Sequence, residues 1–250
     1  MELHDVQLEG NQDEIDKVLT TPGTVAVATS DLARYAAFSL CLNNLARPMG
    51  SKLDWITGAS VAENFNNAIS RMSGDWIWIM GDDHIFAPDT LLRLLQFMYH
   101  NNYDMVVPLC AYRKPPFSTV MFQGDVPDKQ GFYIPTNWVD LPIDAPAYRP
   151  WAVGSAGLLI RKRVIQAMKY PWFEVGQERS DALCEDIHFC RKARALGFDL
   201  IASLEIKIGH IAQCVVWPQL KNDKWGVEFD FGNNVKFFAP GTAAPSEVNK

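Results

Sequence analysis

Between Thr24 and Pro108 the chain alternates four times between a short apolar run and a segment with helical patterning. No other feature of the sequence constrains the fold as tightly. Thr24 to Thr29 (TVAVAT) is apolar and rich in β-branched residues, as a strand buried on both faces must be. Leu53 to Thr57, Asp75 to Met80 (DWIWIM) and Asp104 to Pro108 repeat that reading. Between them, Ser30-Asp31 offers the N-cap of a helix running through Leu45. Val61, Phe65, Ala68, Ile69 and Met72 mark one side of a second helix, and Pro88 opens a third from Asp89 to about His100. Strand–helix repetition of this kind predicts an α/β fold, a mostly parallel central sheet with helices on both faces. A length of 250 residues fits a single domain around one sheet.

The remainder reads less regularly. A short polar helix is expected over Asp13 to Leu19. From Cys110 to Pro150 prolines and aromatics crowd without helical period, which predicts loops and short strands forming an inserted acceptor region. Val153 to Ile160 reads as a strand, Arg161 to Met168 and Glu185 to Leu196 as helices, and Phe198 to Ile206 as a strand leading to Gly209-His210-Ile211. Trp217 to Lys250 shows no clear regular element. The expected organisation is thus a nucleotide-binding half over 22–109, an acceptor and catalytic half over 110–216, and a tail over 217–250.

A net charge of −6 argues against a whole-surface attraction to nucleic acid. The five cysteines, 41, 110, 184, 190 and 214, are odd in number and form no CxxC pair. Neither a disulfide framework nor a structural zinc site is signalled, and a reducing cytoplasm is the expected location. The acidic start MELHDVQLEGNQDEID lacks the basic and apolar regions of a signal peptide. No apolar run approaches the roughly 20 residues that cross a bilayer.

Chemistry concentrates in two clusters. Asp82-Asp83-His84 follows the apolar run Trp76 to Met80 and so falls beyond the carboxyl end of a strand, where ligands sit in open α/β sheets. Paired carboxylates suit a hard divalent cation, Mg²⁺ or Mn²⁺, and the imidazole leans toward Mn²⁺. A cation there would neutralise a diphosphate leaving an anomeric carbon. The plainer reading makes Asp82 and Asp83 caps of the helix near Pro88. Glu185-Asp186 opens a helix, where the dipole favours acidic side chains for structural reasons alone, and equally where one carboxylate could take a proton from an acceptor hydroxyl. His210, in a Gly-His turn, reads by itself as a packed side chain. His4, His100 and His188 are assigned structural or surface roles. Trp138, Trp151, Trp172 and Trp225, outside the strands, are candidate sugar platforms.

Four stretches together resemble the GT-A glycosyltransferases, particularly family 2 enzymes and the polypeptide N-acetylgalactosaminyltransferases. They are AENFNNAISRMSGD, WIWIMGDDHIFAPDTL, VGSAGLLIRKRV, and CEDIHFCRKARALGFDL followed by IGHI. The resemblance implies a Rossmann-like GT-A domain that transfers a hexosyl or N-acetylhexosaminyl group from a nucleotide-sugar, with uridine diphosphate as the expected carrier. Two alignments of its metal motif compete. Asp82-Asp83-His84 resembles an Asp-x-His form with Asp82 and His84 as ligands, and Gly81-Asp82-Asp83 resembles an Asp-x-Asp whose first Asp is Gly, leaving Asp83. His210 matches the late histidine that completes the metal site. Glu185-Asp186 matches the Glu-Asp pair of inverting enzymes, which gives Asp186 the role of base and favours inversion. Gly154-Ser155-Ala156-Gly157 matches a small-residue strand lining the sugar pocket. Thr29, Ser30, Asp31, Asp54 and Asn64 are implied at the nucleotide, with Asp82 at the donor diphosphate. The acceptor, whether protein, glycan or modified nucleic acid, is not marked by any motif in 110–150. Two alternatives stand beside this reading: a nucleotidyltransferase, for which VATSDLAR lacks the Gly-rich phosphate loop, and a non-catalytic binding module, which Gly81 favours.

Overall fold

The structure is a computed structural model that describes residues 8, 10–29, 35–58, 60–113, 117–124, 133–175, 184–212, 215–230 and 236–241. Its first half runs α1 (Gln12–Thr20), β1 (Thr24–Ala28), α2 (Ala36–Asn43), β2 (Lys52–Ile56), α3 (Val61–Ser70), β3 (Trp76–Gly81), β4 (His84–Ile85), α4 (Thr90–His100) and β5 (Met105–Leu109). Then follow β6 (Met121–Phe122), a 3₁₀ turn (Trp138–Asp140), β7 (Ala147–Tyr148), β8 (Ala152–Val153), β9 (Leu158–Arg161), α5 (Lys162–Ala167) and α6 (Glu185–Ala195). The chain continues through β10 (Leu200–Lys207), β11 (Gly209–Ile211), β12 (Val215–Lys221), β13 (Lys224–Asp230) and β14 (Lys236–Pro240).

The central sheet has the order β2-β1-β3-β9-β5-β10-β7. β1 is parallel to β2 and β3, and β5 is parallel to β10. β9 runs antiparallel between β3 and β5, and β7 lies antiparallel on the β10 edge. The expected α/β class with a mostly parallel sheet between helices is therefore what the chain forms. β3 explains why its sequence is apolar throughout: alternate side chains point to opposite faces, and both faces are covered. Ile77 and Ile79 enter a core with Phe65, Ala68 and Ile69 of α3, Val164 of α5 and Ile187 and Phe189 of α6. Trp76, Trp78 and Met80 enter a second core with Phe38 of α2 and Leu91, Leu95 and Met98 of α4. Each fully buried large side chain of this kind contributes roughly 1.5–3 kcal/mol.

Helix α3 begins where its sequence directs. The Ser60 hydroxyl accepts from the Glu63 backbone N–H at 3.2 Å, the arrangement of a Ser-x-x-Glu cap. Two of its asparagines are buried. Asn66 donates to the Phe173 carbonyl at 2.7 Å and accepts from the N–H groups of Trp172 and Phe173 at 3.0 Å each, pinning α3 to the segment ahead of α6.

Three expectations need correction. The single strand read over Val153 to Ile160 is two, β8 and β9, because Gly157 turns the chain at φ +77° and its carbonyl accepts from the Trp78 indole N–H at 2.8 Å. The expected unstructured tail instead holds β12, β13 and β14, which join β11 and β4 in an antiparallel sheet of order β14-β13-β12-β11-β4. Its first hairpin turns on Asn222-Asp223, both at positive φ (52° and 56°), the two-residue turn that matches strand twist. The helix expected to start at Ser30-Asp31 is seen as α2 over Ala36–Asn43, and Ser30 and Asp31 lie outside the described residues. No helix among the described residues is long and apolar enough to cross a membrane.

Candidate active site

A cleft of ≈ 610 Å³ opens beyond the carboxyl ends of β1 and β3. Thr29 comes from the end of β1, Asn64 from the first turns of α3, and Asp82, Asp83 and His84 from the link between β3 and β4. Gly154, Ser155 and Ala156 come from the turn joining β8 to β9, Asp186 from the first turn of α6, and His210 from β11. The sequence-predicted residues are thus gathered from both halves of the chain into one cavity. Asp54, Gly157 and Glu185 are not among the lining residues. Asp54 sits mid-strand in β2, and its carboxylate is held by Lys52 Nζ at 3.0 Å and Arg71 Nη2 at 2.5 Å. It is an ion-pair anchor outside the cleft lining. Gly157 acts beneath the cleft, through its bond to Trp78.

The acidic segment is tightly organised. Asp82 accepts from the Thr29 hydroxyl at 2.6 Å, tying the ends of β1 and β3 together. Asp83 faces three cationic or potentially cationic groups: Arg113 Nη1 at 2.6 Å, His84 Nδ1 at 3.3 Å and His210 Nε2 at 3.4 Å. Burial alone would raise the Asp83 pKa, but the His210 hydrogen bond and the charges of His84, His210 and Arg113 outweigh it and hold the carboxyl well below the usual carboxylate range. Asp83 is therefore a firm anion. Neither aspartate is seen capping α4, whose N-cap is Asp89 without a side-chain bond.

The two imidazoles are brought together by strand pairing. His84 and His210 are direct cross-strand partners between β4 and β11, and the Ile211 N–H donates to the Asp83 carbonyl at 2.8 Å. Their rings stack with centroids 4.8 Å apart and planes 21° from parallel. His210 Nδ1 lies 3.0 Å from the Ala111 carbonyl, a pure acceptor, so that nitrogen donates, while Nε2 faces the Asp83 carboxylate at 3.4 Å. His84 Nδ1 meets the Gly81 carbonyl at 3.4 Å and the Asp83 carboxylate, while its buried Nε2 has no hydrogen-bond partner. Burial pushes the His84 pKa down to about 4 against the opposing pull of Asp83, which leaves a neutral ring.

A metal implied by the resemblance fits these residues. An anionic carboxylate and two imidazoles with their Nδ1 positions already engaged present donor types that bind divalent cations. Among the described residues, His84, Cys110 and His210 form a group in which one donor atom from each lies within 4.8 Å of the others. Cys110 was missed as a site residue by sequence reasoning, as were Tyr112 and Arg113 of the lining. All three follow β5, a strand parallel to β10, so the rule that placed Asp82 to His84 at the ligand edge applied to them as well.

Across the cleft, the Asp186 carboxylate accepts from the Ser155 N–H at 3.1 Å and from the Ile187 N–H at 2.8 Å. Burial, reinforced by the charge of neighbouring Glu185, outweighs these bonds and pushes its pKa up to about 7. A carboxylate so tuned is suited to accept a proton near neutral pH. Gly154 stands where a Cβ would meet Asp186 Oδ2 at 3.4 Å and the Val120 side chain at 3.5 Å.

The tryptophans separate by burial. Trp138 and Trp225 are only 3% and 5% exposed and stack on each other at 6.4 Å, so they serve the core and are corrected as platforms. Trp151 stacks on Tyr133 at 5.1 Å, and Trp172 donates to the Ile165 carbonyl. None of the four lines the cleft, where Tyr112 is an aromatic sequence reasoning passed over. His100 pairs with Glu14 and His188 lies near Glu174, while His4 and Cys214 lie outside the described residues.

The Glycosyl transferase family 2 model matches residues 58–139, from the turn before α3 through β3, the Asp82-Asp83-His84 link and β5. Among solved structures, the chain resembles A197 from STIV with a TM-score of 0.52 and 13% identity over 91% of this chain and 99% of that one. It also resembles GalNAc-T7 with UDP, GalNAc and Mn²⁺, with a TM-score of 0.55 and 9% identity over 77% of this chain. That match spans 44% of GalNAc-T7. No curated protein matches the sequence. The structural likeness shows a GT-A fold, and the family 2 match over 58–139 supports a glycosyltransferase.

Proposed function

We propose that the chain moves a sugar from a nucleotide-sugar, with uridine diphosphate as carrier, to an acceptor hydroxyl with inversion at the anomeric carbon. One observation carries this reading: Asp186 and the Asp83, His84 and His210 cluster line the same cleft. A base for the acceptor and a charge-neutralising centre for the leaving group are both needed, in one cavity, for direct displacement. UDP and Mn²⁺, present with GalNAc-T7, come to this chain as part of the proposal.

In this mechanism Asp186 takes the proton of the acceptor hydroxyl as the acceptor oxygen bonds to the anomeric carbon, and the bond from that carbon to the diphosphate oxygen breaks. The Ser155 and Ile187 N–H groups fix the carboxylate without quenching its basicity. Asp83, His84 and His210 hold a divalent cation, which when bound supplies positive charge to the departing diphosphate. Asp82, fixed by Thr29, orients the donor side of the cleft. The small residues Gly154 to Ala156 leave room for the sugar beside Asp186.

A second reading rests on Arg113, whose guanidinium already meets Asp83. On that reading Arg113 itself receives the diphosphate and transfer needs no cation.

The test is calorimetric titration of the protein with a panel of nucleoside diphosphates, each with Mn²⁺ and with a chelator. One diphosphate is expected to bind, and at least about tenfold more tightly with Mn²⁺. Equal binding in chelator favours Arg113; no binding by any member of the panel overturns the donor assignment.

A further inference from the structure

We propose that Cys110 is a ligand of the cation held by His84 and His210, and that this thiolate makes the site selective for a thiophilic, zinc-type ion over Mg²⁺. The inference rests on the reading of this cluster as a cation site, and not on glycosyl transfer.

Cys110 follows β5 and is fully buried. Its Sγ has a hydrogen bond to the Ala111 carbonyl at 3.5 Å, the same carbonyl that accepts from His210 Nδ1. One peptide group therefore aligns both the sulfur and the imidazole. The second, independent observation is His84 Nε2, a buried nitrogen without a hydrogen-bond partner in a group whose donors all lie within 4.8 Å. An unpartnered buried nitrogen costs roughly 1–3 kcal/mol, which a bound ion offsets. The donors that converge are two imidazole nitrogens and one sulfur, with the Asp83 carboxylate on the Nδ1 side of His84 and paired with Arg113. Two nitrogens and a sulfur form a set that zinc takes with a fourth position left open, whereas Mg²⁺ and Ca²⁺ take oxygen ligands and leave thiols aside. Bonds of about 2.0–2.3 Å imply that binding draws the side chains closer than they stand here. On binding, the Cys110 S–H bond breaks, its proton passes to solvent and a sulfur–metal bond forms.

The test uses the whole chain stripped of metal by a chelator and titrated with Co²⁺, a spectroscopic stand-in for zinc. The expected result is a near-ultraviolet thiolate-to-cobalt absorption saturating at one equivalent, abolished by Zn²⁺ but not by excess Mg²⁺. Cys110→Ser is expected to lose that band and at least about tenfold in Zn²⁺ affinity. Cys184→Ser, which alters an exposed thiol, is expected to keep both. If Cys110→Ser does not fold, the band of the wild-type and Cys184→Ser proteins still decides whether a buried thiolate binds. Cobalt d–d bands without the thiolate band would overturn the role of Cys110 while leaving the aspartate and histidine site intact. Absence of any cobalt spectrum would overturn both. Loss of the band in Cys184→Ser would place the thiolate elsewhere and likewise refute the assignment.

Discussion

His84 and His210 are paired across the β4–β11 ladder, with rings stacked at 4.8 Å. The pairing joins the central sheet's ligand edge to the antiparallel sheet that follows it. His84 comes with the link after β3, and His210 comes with the strand that opens the C-terminal sheet. His84 reaches Asp83 as its chain neighbour, whereas His210 is brought to Asp83 by β11, so the C-terminal sheet supplies the second imidazole of the site.

His210→Ala is accordingly expected to weaken Mn²⁺-dependent nucleoside diphosphate binding by about 10–100-fold and to lower turnover with it. The same substitution leaves Asp83 paired with Arg113 and His84, so folding should survive, which circular dichroism checks. Calorimetry that finds undiminished metal-dependent binding would remove His210 from the site.

Asp186→Asn should behave differently. The Ser155 and Ile187 N–H groups bond to different oxygens of the carboxylate, so the single amide oxygen keeps one of these two bonds and still holds the helix start at that point. Donor binding is expected within about threefold of wild type, while the transfer rate falls roughly 10²–10⁴-fold. Single-turnover kinetics beside donor calorimetry separates the two effects. A loss confined to donor affinity would make Asp186 a helix cap and no base.

The alternation of β1, α2, β2, α3, β3, α4 and β5 was legible because β1, β3 and β5 are buried on both faces and read as apolar runs, with the edge strand β2 set between two helical segments. The tail was not legible for the opposite reason. β12 and β13 are half-exposed, and Pro218, Gln219 and Lys221 in one and Lys224, Gly226, Glu228 and Asp230 in the other break up their apolar signal. Asn222-Asp223 between the two runs was the available hairpin signal. The site divides in the same way. Asp82 to His84 announce themselves as consecutive polar residues after an apolar strand. Cys110 is apolar in character and looks like the end of β5, so only the approach of β11 reveals its neighbours. Asp54 was assigned to the nucleotide by resemblance, with its ion pairs unread. The cations that neutralise it come from a strand neighbour and from Arg71 at the end of α3, a pairing that spacing does not expose.

That difference can be measured. Asp54→Asn removes one partner of two partly exposed cations, and a loss of about 1 kcal/mol is expected in denaturant unfolding. Donor affinity should not change, since Asp54 lies outside the cleft lining. Weakened nucleotide binding at unchanged stability would restore Asp54 to the donor site.

The raised pKa of Asp186 ties activity and stability to pH with opposite signs. Above a pKa of about 7 the carboxylate is charged and able to accept the acceptor proton, so the transfer rate should rise through that pH. Stability runs the other way. Between the unfolded carboxyl pKa, about 3.9, and the folded value of about 7, the folded chain binds the extra proton. This group's contribution to stability is therefore full below the unfolded value and is lost as pH rises through the folded one. Asp186→Asn, which carries no charge to bury, should gain roughly 1–3 kcal/mol in unfolding free energy relative to wild type between pH 4 and pH 8. Urea unfolding of both proteins at the two pH values supplies the comparison. An Asn variant that gains nothing on wild type between pH 4 and pH 8 would mean that the two backbone N–H bonds outweigh burial, and the base would then titrate at or below the ordinary carboxylate value.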